Sequence, residues 1–151
     1  RVSRGLGDVY KRQKETPLSL MADYDLLLLG ISTWDFGEIQ EDWNELWDDI
    51  ATTPVKGKVV ALFGLGDQEG YGEWFLDAMG LLHDELKTAG AEFVGFWPND
   101  DSYEFEASKA LTEDQSQFVG LALDEDSQYE LSDDRIASWV EQVLVEYSEK
   151  L

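Results

Sequence analysis

Two aromatic residues stand in glycine-rich stretches where a ring can do chemistry. Trp34 lies in Gly30-Ile-Ser-Thr-Trp34-Asp-Phe-Gly37-Glu38, and Tyr71 in Gly64-Leu-Gly66-Asp67-Gln-Glu-Gly70-Tyr71-Gly72. A large flat side chain offers a stacking platform to a flat ligand. Each ring also reads as an ordinary packing residue, and the loop position beside glycine favours the platform. Ser32 and Thr33, just before Trp34, serve either as donors to a ligand or as caps of a following helix. Glu38, Asp42, Glu45, Asp48 and Asp49, with Asp124-Glu-Asp126, read as a solvated face, plausible as a docking surface for a basic partner and weak as a metal site. His83, the lone histidine, sits in a predicted helix beside Asp84 and Glu85 and is expected to face solvent. No set of nucleophile, base and orienting group is apparent, so hydrolase or transferase chemistry has no support.

The elements that must position the two rings follow from hydrophobic periodicity. Residues 24–31 (YDLLLLGI) form a continuous apolar run of strand length, the pattern of a strand covered on both faces. The strand proper spans 25–29, Gly30 ends it, and the 30–38 stretch turns it into an amphipathic helix. Over 38–50, Trp43, Leu46, Trp47 and Ile50 fall at i, i+3, i+4 and i+7, the stripe of a helix lying on a sheet. Residues 58–65 (KVVALFGL) form a second buried strand. A helix over 73–89 carries Phe75, Met79, Leu82 and Leu86 on one face, with Gly90 placed to end it. Residues 91–97 and 118–123 are the third and fourth strands, separated by a stretch without a long period. Ser132 caps a last helix that runs to about Tyr147 and is expected to bury Ile136, Val140, Val143 and Leu144. This order implies a parallel α/β sheet with right-handed crossovers. Ligands of such sheets sit outside the carboxyl ends of the strands. Trp34 and Tyr71 therefore emerge on the same edge and can close on opposite faces of one flat ligand.

Bulk properties narrow the partners. The chain has 151 residues, 43% of them hydrophobic, which suits one domain with a proper core. A net charge of −22 repels nucleic acids and anionic membranes alike, so a protein partner should present a basic face. Cysteine is absent, which removes disulfide and thiolate-metal chemistry. No apolar run approaches the ~20 residues of a membrane span, and no secretory signal is visible. Residues 1–13 (RVSRGLGDVYKRQ) carry +3 against −25 for the other 138, and they show no apolar period. They are expected to be a disordered, non-native basic tail joined to an incomplete gene, with the domain proper over 14–151. Residues 14–22 read as a loop or short helical turn.

Residues from about 14 to 151 resemble the long-chain flavodoxins, acidic electron carriers that hold flavin mononucleotide (FMN). The resemblance rests on the 30–38 motif, on Val60-Ala-Leu-Phe-Gly-Leu-Gly-Asp-Gln68 and on Phe118-Val-Gly-Leu-Ala-Leu-Asp-Glu-Asp126, with residues 98–117 similar to the insertion that splits the last strand in this subfamily. It implies a flavodoxin-like doubly wound parallel sheet of order 2-1-3-4-5. It also implies that Trp34 and Tyr71 stack on the isoalloxazine, and that Asp67 with its neighbours Leu65 and Gly66 borders the pyrimidine edge. Ser32 and Thr33 become candidates for phosphate or ribityl oxygens. The peptide at Asp35–Phe36, given freedom by Gly37, becomes the acceptor of a hydrogen bond from the protonated N5 of the semiquinone. An acidic pocket disfavours the anionic, fully reduced flavin and lowers the second potential. The implied role is one-electron transfer without a substrate-turnover site, in the cytoplasm. The implied partners are basic-faced redox proteins such as ferredoxin–NADP reductase or low-potential acceptors, and the implied state is a monomer when full length.

One family feature has no counterpart. The hydroxyl- and glycine-rich loop that cradles the FMN phosphate at a helix N-terminus is not found, because Gly5-Leu-Gly7 lacks both the preceding strand and the hydroxyls. The first strand, first helix and second strand are expected to be missing, on the order of 40 residues, leaving the strand at 25–29 with an open apolar edge and FMN binding weak or lost. From the residues alone, a flavin-free interaction or regulatory domain, with the rings at a protein interface, or a non-functional fragment, stays open.

Overall fold

The computed structural model describes the backbone of Val2–Arg4, Gly7–Val9 and residues 18–151, with side chains from residue 21 onward. Val2–Arg4 (β1) and Gly7–Val9 (β2) pair antiparallel as a separate two-stranded sheet. The rest of the 1–13 tail, and residues 14–17, lie outside the described residues. A 3₁₀ turn over Leu18–Asp23 then brings Met21 into the core.

The frame is a parallel sheet centred on Val59–Leu65 (β5). Leu26–Trp34 (β3) pairs with it parallel over seven residues, from Leu26 opposite Val59 to Ser32 opposite Leu65. β3 is longer than the apolar run suggests. It passes through Gly30 and ends at Trp34, because Glu38–Ile39 (β4) folds back antiparallel on Thr33 and Trp34. Trp34 is thus the last residue of a strand. The turn proper is 35–37, with Asp35 at φ 44° and Gly37 at φ 85°, a left-handed position that glycine occupies without strain.

The other side of β5 is shared. Glu92–Val94 (β6) pairs with Val59–Ala61, and Leu121–Leu123 (β9) pairs with Phe63–Leu65. The third and fourth expected strands are therefore two halves of one edge. Between them the chain departs at Gly95, at φ 80°, where a Cβ would stand 2.7 Å from Trp139 Nε1. The excursion is tied at its base by Trp97–Pro98 (β7) pairing antiparallel with Gln117–Phe118 (β8).

Helices cover both faces. Glu41–Asn44 (α1) and a 3₁₀ segment, Trp47–Thr52, replace the single helix expected over 38–50. The hairpin consumes the first residues, and like charges at Glu41, Glu45 and Asp49 oppose a continuous helix. The stripe still points inward: Trp43 and Ile50 are buried, with Leu46 and Trp47 packed on the same core. Asp77–Thr88 (α2) starts four residues later than expected because Leu76 adopts a left-handed φ of 61°. It buries Met79, Leu82 and Leu86, and Gly90 ends it as predicted.

Ser132–Glu149 (α3) covers the opposite face and corrects the sequence reading. It buries Ser132, Arg135, Trp139 and Val143, while Ile136, Val140 and Leu144 are exposed at 39%, 37% and 55%. The Trp139 indole N–H donates to Gly95 O at 2.8 Å, and its ring meets Phe63 edge-on, which fixes the rotation of the helix. Among the described residues, no strand pairs with 26–32 on the side away from β5. Two of its edge groups are nonetheless satisfied. Gly30 O accepts from Trp43 Nε1 at 2.8 Å, and Ser32 N–H donates to Gln40 Oε1 at 3.0 Å.

Candidate functional site

The carboxyl ends of β3, β5 and β9 open into one cleft of about 550 Å³. It is lined by Ser32, Thr33, Trp34 and Asp35 from the end of β3, by Leu65, Gly66, Asp67 and Tyr71 from the end of β5, and by Glu125 and Asp126 after β9. These include eight of the ten residues expected from sequence. Trp34 and Tyr71 keep 45% and 39% of their surface open, large rings that the core does not absorb. Phe36 and Gly37 stand outside the lining. Phe36 is exposed and meets Tyr71 and Trp74 edge-on, with ring centroids 6.1 and 5.1 Å apart, so it buttresses the rim. Gly37 forms the turn behind it, against Trp74 and Asp77.

Backbone pairing aims Trp34, and a long-range cap strengthens that wall. Thr33 Oγ1 accepts the Ala78 N–H at 3.0 Å, satisfying a donor at the start of α2 that Leu76 has no side-chain oxygen to meet. Of the two roles open to Thr33 in the sequence, the structure places it as a cap, although of a helix 45 residues away. Asp77 opens that helix. Burial pushes its carboxyl above the usual range, against the lowering effect of a Lys109 N–H bond and the Lys109 charge.

The Tyr71 wall is a loop held by Asp67. Asp67 Oδ1 accepts from Glu69 N–H at 3.1 Å and Gly70 N–H at 2.8 Å, and Asp67 O accepts from Tyr71 N–H at 3.0 Å. Short side chains of this kind replace sheet bonding at turns. Asp124, expected on a solvated face, is fully buried. Its carboxylate accepts from Gln68 N–H at 3.0 Å, Asp126 N–H at 3.0 Å and Ser127 N–H at 2.8 Å. It therefore joins the loop after β5 to the loop after β9. Asp67, Asp124 and Asp126 bring carboxylate oxygens within 4.8 Å of one another, and the N–H donors on Asp124 account for that crowding.

The lining carries four carboxylates, Asp35, Asp67, Glu125 and Asp126, and among the described residues neither Lys nor Arg. Such a cleft suits a flat, uncharged ring system and penalises a negative charge developing on it. Its hydroxyls are Ser32, Thr33 and Tyr71, with that of Thr33 already accepting from α2. The described residues thus fit the isoalloxazine of FMN, while none of the lining is a phosphate cradle. Glu125, Asp126 and the connector Asp124 were missed as site residues because only the split edge brings them beside β5. Local periodicity carries no such signal.

The comparisons with known proteins agree. The flavodoxin family model matches residues 3–139. Flavodoxin 2 of Escherichia coli strain K12 is 59% identical over 136 residues, which make up 90% of this chain and 78% of that protein. Flavodoxin 1 of Salmonella typhimurium is 48% identical over 139 residues, 92% of this chain and 76% of its own length. Among solved structures, Fusobacterium nucleatum flavodoxin bound to flavin mononucleotide superposes with a TM-score of 0.78 at 31% identity, covering 84% of this chain and 74% of that one. The chain belongs to the flavodoxin family, whose members are FMN-binding electron-transfer proteins without a substrate-turnover site.

Proposed function

We propose that this chain holds the flavin ring between Trp34 and Tyr71 and passes single electrons to basic-faced redox proteins, a ferredoxin–NADP reductase or a low-potential acceptor, in the cytoplasm, as a monomer when full length. The observation that carries this reading is a pair of half-exposed rings on the rim of an acid-lined cleft at the carboxyl ends of β3 and β5. FMN supplies the one-electron chemistry when bound. The chain's residues supply the rest. Trp34 and Tyr71 offer apolar faces that exclude water from the ring. The turn over 35–37, already in the left-handed region at Asp35 and Gly37, gives a peptide carbonyl the freedom to accept a ring N–H. Asp35, Asp67, Glu125 and Asp126 disfavour added negative charge on the ring. The surface charge behind the net −22 speeds encounter with a basic partner more than it tightens the complex.

The test is a titration of the chain with riboflavin and, separately, with FMN, followed by quenching of flavin fluorescence. Because the described residues grip the ring and leave the phosphate uncradled, both ligands should bind comparably. Trp34→Ala or Tyr71→Ala should weaken each by about tenfold. A folded chain that quenches neither ligand would end this reading.

A further inference from the structure

The two stacking rings are positioned by different means. Trp34 ends a strand whose residues 26–32 pair with β5 and whose Thr33 and Trp34 pair with β4. Tyr71 sits in a loop that Asp67 ties from within, and residues 104–107 of the excursion between β7 and β8 add polar contacts on either side of it. Glu104 N–H donates to Gln68 Oε1 at 2.6 Å, on one side of Tyr71. On the other, Gly72 O accepts from both Glu106 N–H at 2.9 Å and Ala107 N–H at 3.0 Å. Phe75 N–H then donates to Ala107 O at 3.2 Å, and Lys109 N–H to Asp77 Oδ1 at 2.8 Å. The excursion is itself fixed in the core. Tyr103 and Phe105 pack with Phe75 and Phe118 at centroid separations between 5.1 and 6.1 Å.

Gln68 is the hinge of this arrangement. It is 5% exposed, its N–H reaches Asp124, its Oε1 takes the Glu104 N–H, and its Nε2 is buried without a hydrogen-bond partner among the described residues. A buried amide with one half unsatisfied is costly where an apolar side chain of the same size would cost less. Packing therefore does not account for a glutamine here, and the bond from the excursion does.

We infer that Gln68, with the 104–107 limb it engages, is a positioning residue that holds Tyr71 at the rim for ring stacking, while Trp34 is held by the sheet and the β3–β4 hairpin. The inference rests on the flavin reading for its consequence and on geometry alone for the brace. Gln68→Met keeps the volume and removes the acceptor, and Gln68→Ala serves as a second variant. In the full chain, amide hydrogen exchange at Gly70, Tyr71 and Gly72 should speed up about tenfold in Gln68→Met, with β3 amides unchanged. Riboflavin affinity should fall about fivefold, and the bound flavin should keep more of its fluorescence at saturation, the mark of a displaced ring. In a Tyr71→Ala background, Gln68→Met should cost no further affinity. Unchanged exchange in both variants overturns the brace. An affinity loss that is the same with and without Tyr71 overturns its role in stacking. A wild-type chain that does not quench riboflavin overturns the flavin reading instead, and the exchange comparison still decides the brace.

Discussion

On the face of the sheet that carries α1 and α2, the inward side chains of β3 and β5 (Leu27, Leu29, Ile31, Val60 and Leu62) close against Trp43, Ile50, Met79, Leu82 and Leu86 in one continuous core. On the opposite face α3 is, among the described residues, the one helix that covers the sheet. Trp139 and Val143 cover Val59, Ala61, Val94, Leu121 and Leu123, whereas Leu26, Leu28 and Phe63 are only partly buried and the 136/140/144 stripe of α3 looks outward. The residue types are alike on both faces, so the difference lies in how much of the sheet each set of helices spans. An apolar period reports which side chains prefer burial, and the available cover decides which of them obtain it.

The sharpest way to break this comparison is a pair of leucine truncations, one on each helix. Leu82→Ala, in α2, empties a fully buried site and should cost about 2–5 kcal/mol in urea unfolding. Leu144→Ala, in α3, should cost about 0.5 kcal/mol or less, since its side chain is already half in water. Equal losses would mean that the α3 stripe is covered in solution and that the two faces are not different.

Tyr103 bridges the two regions and gives the next effect. Its ring lies in the aromatic cluster of the α2 face, with the Arg135 guanidinium of α3 stacked 4.3 Å from its centroid. Its hydroxyl donates to Ala122 O at 2.7 Å and accepts from Trp97 Nε1 at 2.9 Å. Tyr103→Phe removes the partner of the buried Ala122 carbonyl and of the part-buried Trp97 N–H and should cost about 1–3 kcal/mol at neutral pH. Burial, partly offset by the Arg135 charge and the Trp97 bond, pushes the phenol from 10.0 up to about 12. The folded chain then keeps a proton that the unfolded chain releases. The contribution is complete below pH 10 and is lost as pH rises to about 12. Alkaline unfolding of Tyr103→Phe should accordingly follow a flatter pH dependence than that of the parent, and parallel curves would remove Tyr103 as the bridge.

The parts of the molecule legible in the sequence are those where one short-range pattern decides. The runs at 24–31 and 58–65 became β3 and β5, and α2 buries Met79, Leu82 and Leu86 as their spacing assigned, with Phe75 buried just before it. Most of the cleft was legible for the same reason, since loops that follow parallel strands share an edge. What stayed hidden depends on distant chain. The β3–β4 hairpin needs only two strand residues and a left-handed Gly37, too little to leave a period. Asp124 reads as a surface acid, and three backbone N–H groups that meet only in the fold make it a buried connector. Glu125 and Asp126 reach the cleft because β6 and β9 divide one side of β5. The exposed stripe on α3 is invisible to any window that does not contain the sheet beneath it.

The smallest effect comes from His83, at the edge of the well-covered face, where sequence spacing placed it in solvent. Its ring lies 4.4 Å from Phe93 and 6.0 Å from Phe96, so it is packed more than solvated. Burial lowers its pKa below the usual 6.5, against the opposing hydrogen bond and charge of Asp84. The folded state therefore favours the neutral imidazole, and the unfolded chain takes up the proton first as pH falls. Stability from this group is intact above 6.5 and declines as pH drops below it. Urea midpoints measured between pH 7.5 and 5.5 should fall more in the parent than in His83→Leu, a window chosen to stay above the usual carboxylate range. A parent that gains stability relative to His83→Leu on acidification would place a charged imidazolium against Asp84 in water, and the covered face would then end one helical turn earlier than the aromatic contacts indicate.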